Sequence, residues 1–175
     1  MKFQGVDKKS KLIKIGKIFY NLQIWDTAGQ EVYQSITKTF YKKSDALFLL
    51  FDVTDENSFL KVEKWMKEIE NNANKDTTVY LVGNKIDCID HRIVEREKAE
   101  NIAKSFGKKY FEISAKLGIN LKEAIFSIVK DILKKKDFNS MDPIHIVSGD
   151  RDDTRDNAGS SCCAKSNNNG YKKKL

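Results

Sequence analysis

The feature that most constrains this chain is an alternating apolar stretch that ends on an acidic residue and a glycine. Apolar side chains recur at every second position from Ile18 to Ile24, which predicts a strand with one buried face. Asp26 follows at its carboxyl end, where a carboxylate is well placed for a cation. Gly29 lets the backbone approach a ligand closely because it has no Cβ, and Gln30 can orient a water. An Asp-x-x-Gly segment alone is more often a strand-ending turn, whereas the full set is typical of the hydrolytic part of a nucleotide site.

The composition indicates a charged globular protein. The chain has 175 residues, which suits one domain and a tail, and 40% of them are hydrophobic. The longest apolar run, Ala46–Phe51, is too short to cross a bilayer, and the beginning of the chain lacks the apolar core of a secretion signal. Three cysteines, Cys88, Cys162 and Cys163, form no disulfide framework and suit a reducing compartment. We therefore expect a cytoplasmic protein.

The net charge of +7 raises the question of a nucleic-acid partner. The lysines are scattered along the chain and are not gathered with aromatic residues in one block. We therefore interpret the excess charge as solvated surface with some preference for acidic membranes, and we predict no nucleic-acid partner.

The pattern of apolar residues predicts a mostly parallel α/β sheet. A hairpin joins strands 11–15 and 18–25 through a Gly-Lys turn, and from Leu47 onward strands alternate with helices, as in a parallel sheet covered on both faces. Residues 29–43 suit a loop that leads into a helix. The further predicted strands are 46–53, 77–82 and 110–113, and the further predicted helices are 55–73, 94–106 and one that begins at 121. We expect one domain over residues 1–136 and disorder over residues 137–175, which turn polar and charged.

A polar segment, Asn84–Asp87, follows one of the predicted buried strands. The Asp87 carboxylate can accept two hydrogen bonds from adjacent N–H groups, and guanine presents such a pair at N1 and its exocyclic N2, whereas adenine does not. The stem of Lys85 can lie flat on a purine ring, and Asn84 can tie loops together. The same four residues also fit an ordinary polar turn.

Ser114–Lys116 follows the next predicted strand, and its small residues before a helix form a weaker signal. Because ligands bind beyond the carboxyl ends of parallel strands, we expect this segment to lie beside Asn84–Asp87 and to place the backbone N–H of Ala115 at the guanine O6.

In chain order, three segments resemble guanine-nucleotide motifs of small GTPases of the Ras superfamily: Asp26–Gln30, Asn84–Asp87 and Ser114–Lys116. Further segments resemble the Rab branch: Gly5–Asp7, Leu22–Thr27, Ser35–Thr37, Phe40–Ala46 and Phe51–Thr54. The resemblance implies a P-loop NTPase-like fold that binds GTP and hydrolyses it to GDP, as a switch in vesicle traffic. It implies Gln30 as the catalytic residue and Asp26 as a Mg²⁺ ligand through water. The implied nucleotide-binding residues are Asp26, Thr27, Ala28, Gly29, Asn84, Lys85, Asp87, Ser114, Ala115 and Lys116.

The resemblance also implies partners and a location. The implied partners are effectors, an exchange factor, a GTPase-activating protein and a GDP-dissociation inhibitor. The implied location is the cytosolic face of endomembranes. The adjacent Cys162 and Cys163 resemble the prenylated pair of Rab proteins, and two lipid chains give stable anchoring. Twelve residues follow this pair, so two unmodified thiols are an equal alternative.

The sequence departs from the family pattern in the part that holds phosphates. No Gly-x-x-x-x-Gly-Lys-Ser/Thr segment occurs in it, and the effector-loop threonine of the family aligns with Phe3. We expect a fold without the first strand, unpaired edges on its neighbours and much weaker nucleotide binding. The chain is then a shortened form or incomplete gene model of a GTPase, or alternatively a non-enzymatic interaction module.

Two departures concern the surface that effectors read. The family has a phenylalanine where this chain has Lys8, so one member of an aromatic patch with Trp25 and Phe40 is lost. Val32–Gln34 also replace the residues that usually follow the Gln-Glu pair. The identity of the effectors therefore stays open.

Overall fold

The computed structural model describes residues 6–15, 17–27, 34–135 and 144–149. The strands are β1 (Val6–Ile15), β2 (Ile18–Thr27), β3 (Ala46–Asp52), β4 (Thr78–Asn84), β5 (Lys109–Glu112) and β6 (Ile144–Gly149). The helices are α1 (Gln34–Lys43), α2 (Glu56–Leu60), α3 (Val62–Asn72), α4 (Arg96–Ser105) and α5 (Leu121–Lys135). A short 3₁₀ helix spans Ile89–His91.

The strands form one sheet in the order β1-β2-β6-β3-β4-β5. The first pair is an antiparallel hairpin, and every other neighbouring pair is parallel. The carboxyl ends of β2, β6, β3, β4 and β5 therefore lie along one edge of the sheet. The mostly parallel α/β fold predicted from the sequence is confirmed.

Apolar residues cover both faces of the central strands, which explains their continuous apolar sequences. One buried cluster joins β3 and β4 to α1, α2, α3 and α4, with Met66 and Phe59 at its centre. The second cluster lies on the opposite face and joins Tyr20 and Leu22 of β2 to the apolar stripe of α5, which includes Ile128. The two layers fix β4 between helices, so that its polar end projects at the edge of the sheet.

Most predicted elements are confirmed with small shifts. Both strands of the hairpin extend further than predicted, and the helix that follows the loop begins at Gln34. The single helix expected over residues 55–73 is divided at Lys61. Asp55 caps the first part, because its Oδ1 accepts a hydrogen bond of 2.9 Å from the backbone N–H of Asn57.

The prediction of disorder over residues 137–175 is wrong for Ile144–Gly149, which forms β6 between β2 and β3. The segment contains Ile144, Ile146 and Val147, whose branched side chains favour strands, and none of its residues is Asp, Glu, Lys or Arg. The expected unpaired edges of β2 and β3 are wrong for the same reason, since β6 pairs with both. The domain limit at residue 136 stays a prediction, and Cys162 and Cys163 lie outside the described residues.

A polar network connects β4 and β5 to α5 on the second face. The hydroxyl of Tyr80 donates to Asp131 Oδ2 at 2.7 Å, and Lys109 Nζ approaches the same oxygen at 2.6 Å. The hydroxyl of Ser127 lies 3.0 Å from that of Tyr80. Burial raises the pKa of Asp131, but the hydrogen bonds from Lys109 and Tyr80 outweigh it, so the pKa stays below the usual 3.8.

We predict that Asp131→Asn destabilises the fold at neutral pH by about 1 kcal/mol, because it weakens two charge-assisted bonds at a partly exposed site. A carboxylate whose folded-state pKa is lowered stabilises the fold above its unfolded pKa of about 3.8, and this contribution disappears as the pH falls through the folded value. Urea denaturation at pH 7 and pH 3 should therefore show a smaller difference from the parent at pH 3 than at pH 7. Lys130→Gln, at an exposed neighbouring position, is the matched control, and a difference as large at pH 3 as at pH 7 would contradict the prediction.

Candidate functional site

The first part of the candidate site is a tight turn at the carboxyl end of β4. Lys85 has a φ of 68°, a left-handed backbone conformation that is uncommon for residues other than glycine. Its backbone N–H donates to Asn84 Oδ1 at 2.8 Å, and its carbonyl accepts from the N–H of Cys88 at 3.0 Å. These bonds hold the turn, which carries the predicted Asn84, Lys85 and Asp87.

Asn84 also joins this turn to the loop that follows β5. Its Oδ1 accepts a second hydrogen bond, 3.0 Å long, from the backbone N–H of Ala115. Beneath it, the N–H of Ile113 donates to the carbonyl of Gly83 at 2.8 Å, and the N–H of Ile86 donates to the carbonyl of Ile113 at 3.3 Å. The structure therefore brings Asn84–Asp87 and Ser114–Lys116 together, although they are distant in sequence.

One detail differs from the sequence prediction. The backbone N–H of Ala115 was expected at the guanine O6, but in this structure it donates to Asn84 Oδ1. The side chain of Asn84 reaches the loop that follows β5, and there its Oδ1 accepts the hydrogen bond from the N–H of Ala115. A ligand carbonyl would therefore share or displace this bond.

Asp87 supplies the acceptor of the site. Its Oδ1 atom is buried and, among the described residues, has no hydrogen-bond partner. A hydrogen bond from the hydroxyl of Ser114 is the main reason that the pKa of Asp87 lies below its usual 3.8, and the positive charge of Lys116 lowers it further. The side chain is therefore a carboxylate at neutral pH, and its Oδ1 atom is an unused acceptor among the described residues.

Ser114 is fully buried and fixes this carboxylate from below. Its Oγ accepts the backbone N–H of Leu117 at 3.0 Å, and a hydrogen bond from its hydroxyl is the main cause of the lowered pKa of Asp87. Its own N–H donates to the carbonyl of Ile119 at 3.1 Å. Ala115 and Lys116, in contrast, are exposed beside the turn.

The structure adds Asp52, which the sequence analysis did not select. It ends β3, and its Oδ2 forms an ion pair with Lys85 Nζ. Its Oδ1 accepts from the backbone N–H and the hydroxyl of Thr54, at 2.8 Å and 2.7 Å. The signal was present, because Asp52 follows an apolar strand in the same way as Asp26. Asp52 orients the Lys85 side chain along the edge of the sheet.

Asp26 is displaced from this turn both along and across the sheet, so the structure does not bring it together with Asn84 and Asp87. It is exposed near the end of β2, and the pairing of the strands places it level with Tyr80, four residues before Asn84. The offset is about 13 Å along the strands, and the three strand steps from β2 to β4 add about 14 Å across them. Thr27 beside it is buried. Ala28, Gly29 and Gln30 lie outside the described residues.

A second ion pair supports the loop after β5 from behind. Arg92 donates two hydrogen bonds to the Glu112 carboxylate, at 2.9 Å and 3.0 Å, a geometry that fixes both side chains. The hydroxyl of Tyr110 donates to the same carboxylate at 3.0 Å, and burial is the main reason that the pKa of Tyr110 is raised. Asn120 Nδ2 donates to the carbonyl of Glu112 at 2.9 Å. The loop that carries Ser114 is therefore held at its beginning.

Lys8, Trp25 and Phe40 are adjacent, as expected from the aromatic patch of the family. The rings of Trp25 and Phe40 lie 5.2 Å apart, and Lys8 Nζ lies 4.7 Å from the centre of the Trp25 ring. The lysine thus stacks on the tryptophan as a cation in place of an aromatic ring.

Comparison with known proteins shows what the chain is similar to. The Ras family matches residues 2–134. The chain is 37% identical over 162 residues to Ras-related protein Rab-26 of Bos taurus, covering 91% of this chain and 61% of that protein. It is 41% identical over 133 residues to Ras-related protein Rab-8A of Gallus gallus, covering 76% and 64%. It is 40% identical over 131 residues to Ras-related protein Rab-10 of Diplobatis ommata, covering 75% and 66%. The chain thus spans about three fifths to two thirds of the length of these relatives.

We predict that Gly83→Ala distorts the turn and destabilises the fold. A Cβ atom at position 83 would lie 2.5 Å from Tyr110 Oη, 3.0 Å from Val53 Cγ1 and 3.2 Å from Phe51 Cζ. Overpacking of this kind costs about 1–3 kcal/mol. Thermal and urea denaturation measure the loss.

A double-mutant cycle with Tyr110→Phe tests the cause, because removal of the hydroxyl eliminates the shortest contact. The Gly83→Ala change should cost less in the Tyr110→Phe background than in the parent. An equal cost in both backgrounds would show that the hydroxyl does not limit the space.

Proposed function

The chain belongs to the Ras family as a Rab-type small GTPase, and from this membership we propose that its Asn84–Asp87 and Ser114–Lys116 loops bind the base of a guanine nucleotide. The observation that carries the proposal is the buried Oδ1 atom of Asp87, a carboxylate acceptor without a partner among the described residues. A buried acceptor of this kind is costly unless a donor reaches it, and a ligand with paired N–H groups supplies one.

Guanine fits this acceptor better than the other purine of the cell. Its N1–H and exocyclic N2–H point in the same direction and meet a carboxylate side by side, whereas adenine presents a bare ring nitrogen and a C–H there. Hydrogen bonds to a charged acceptor contribute about 1.5–3 kcal/mol. The difference is large enough to select between the bases.

The neighbouring residues would complete the base site. The alkyl stem of Lys85, aligned by its ion pair with Asp52, supplies a flat apolar surface for the ring. Asn84 keeps the two loops together, and Ser114 keeps Asp87 ionised. Ala115 and Lys116 lie exposed at the side where the carbonyl of guanine would enter.

Asp26, Thr27, Ala28, Gly29 and Gln30 would serve the phosphate end. An exposed carboxylate at a strand end suits Mg²⁺, which is bound through oxygen ligands and water. Such an ion neutralises phosphate charge, and in the proposed reaction Gln30 orients the attacking water. Because these 175 residues contain no glycine-rich phosphate loop, we expect them to bind the nucleotide weakly. Each ~1.4 kcal/mol of binding free energy that is lost raises the dissociation constant tenfold.

We further propose that hydrolysis of GTP to GDP makes this protein a switch in vesicle traffic, with Rab-type effectors, an exchange factor, a GTPase-activating protein and a GDP-dissociation inhibitor as partners. Family membership supports this proposal. Among the described residues, no helix is both long and apolar enough to cross a membrane. By the resemblance of Cys162 and Cys163 to the cysteine pair of Rab proteins, we propose that prenylation of these two residues provides contact with the cytosolic face of membranes.

The experiment is a titration of the purified 175-residue chain with a fluorescent guanine nucleotide, with and without Mg²⁺, and with ATP as competitor. Guanine-selective binding that Mg²⁺ strengthens supports the proposal. A folded sample that binds no guanine nucleotide at millimolar concentration would overturn it in favour of a non-enzymatic interaction module.

We predict that Asp87→Asn weakens guanine binding about 10- to 150-fold, which corresponds to about 1.5–3 kcal/mol. The amide donates where guanine also donates, so the same variant should gain affinity for a xanthine nucleotide, which has a carbonyl at that position. Asp90→Asn is the matched control, since Asp90 is an exposed acid three residues further along. Equal loss in both variants would assign the effect to charge alone.

A further inference from the structure

The central strand of the sheet comes from the last part of the chain that the structure describes. β6 pairs with β2 from Leu22↔Ile144 to Thr27↔Gly149, and with β3 from Ala46↔Ile146 to Leu49↔Gly149. β2 and β3 are not neighbours in the sheet. Within the described ranges, backbone pairing between the β1–β2 hairpin and the β3–β4–β5 unit therefore runs only through β6.

This arrangement divides the residues of the candidate site. Asp26 lies in the β1–β2 hairpin, on one side of β6, whereas Asn84 and Asp87 belong to the β3–β4–β5 unit on the other side. Their relative position consequently depends on the strand between them. Side-chain packing adds two further connections, of Tyr20 and Leu22 against α5 on one face and of Trp25 against Phe40 and the first cluster on the other.

The sequence of β6 suits this position. Its register pairs Ile146 with Ile24 and Ala46, and Val147 with Trp25 and Leu47. The segment carries no Asp, Glu, Lys or Arg, although acidic residues stand immediately before and after the segment from Pro143 to Gly149. Central strands of parallel sheets are typically covered on both faces, so a segment without charged side chains suits this place in the strand order.

The connection from α5 permits insertion within one molecule. Lys135, at the end of α5, donates from Nζ to the carbonyl of Asp76 at 3.1 Å, just before β4 begins. β6 starts at the same edge, two strand steps from β4, or about 10 Å. Residues 136–143 can span about 26 Å when extended. Residues 136–143 are therefore long enough to let β6 insert between β2 and β3 of the same molecule.

We propose that residues 144–149 are a clasp strand: inserted from the same molecule, they join the hairpin that carries Asp26 to the unit that carries Asn84 and Asp87. Withdrawal of the clasp strand uncouples the two halves of the candidate site. The occupant is this chain's own segment, and a second copy is the alternative that the test must separate. The readouts below are backbone protection and cross-linking, so their outcome is independent of nucleotide binding.

The first test is hydrogen–deuterium exchange of the full chain. We expect the amides of residues 145–149 to exchange at least 100-fold more slowly than unstructured ones. Ile146→Pro removes a donor from a central strand, where proline is not tolerated, and should speed exchange in β2 at least tenfold more than in β5. Asn168→Pro, in the same C-terminal region of the sequence, is the matched control. Unprotected amides over 145–149, or equal protection of β2 in both variants, would overturn the proposal.

The second test stays informative if Ile146→Pro fails to fold. Ile24→Cys and Ile146→Cys, in a background with Cys88, Cys162 and Cys163 changed to Ser, place two thiols on paired neighbours about 5 Å apart. A short bifunctional thiol reagent should link them within a monomer. The pair Ile24→Cys with Asn168→Cys is the control. Absent linkage, linkage equal to the control, or linkage only between two chains would overturn insertion in cis.

Discussion

The parallel pairing of β6 with both of its neighbours is the interaction on which the rest of the structure depends. A buried strand with an unpaired edge leaves backbone donors and acceptors without partners, and each such group is costly away from water. β3 lies at the centre of the molecule, with Leu47 and Leu49 buried, so its open edge would be especially unfavourable. Insertion of β6 satisfies that edge and the edge of β2 together. The two apolar layers can then form over a continuous sheet.

The base end of the site has a different physical basis. It is built on β4 and β5, which pair directly, and it is held by short bonds within that unit. Asn84 connects the loops, Ser114 fixes Asp87, and Arg92 fixes Glu112 behind them. The left-handed turn at Lys85 costs free energy that this surrounding structure must offset. A strained residue retained among so many bonds is consistent with a function for the turn.

The sequence predicted the parts of the molecule whose signals are local. The periodicity of β2 and the order of strands and helices indicated the fold, and Asn84–Asp87 was recognisable because its side chains stand together in sequence. Asp52 was missed because it closes an apolar run that packing alone explains. β6 was missed because a six-residue segment with three apolar residues, standing between charged stretches, contains no information about its partners. Its position is decided by an edge that β2 and β3 leave open, which only the assembled sheet reveals.

The two ends of the candidate site therefore depend on different parts of the chain. The base end needs only the β3–β4–β5 unit and the loops after β4 and β5, all within one continuous stretch of sequence. In the proposed function the phosphate end uses Asp26, whose position relative to that unit depends on the pairing of β2 with β6. The proposal therefore assigns the base and the phosphates to separate parts of the sheet. Because residues 144–149 pair with β2 and β3, whereas Asp87 follows β4, the clasp-strand proposal implies that a change in that strand alters the position of Asp26 more than that of Asp87.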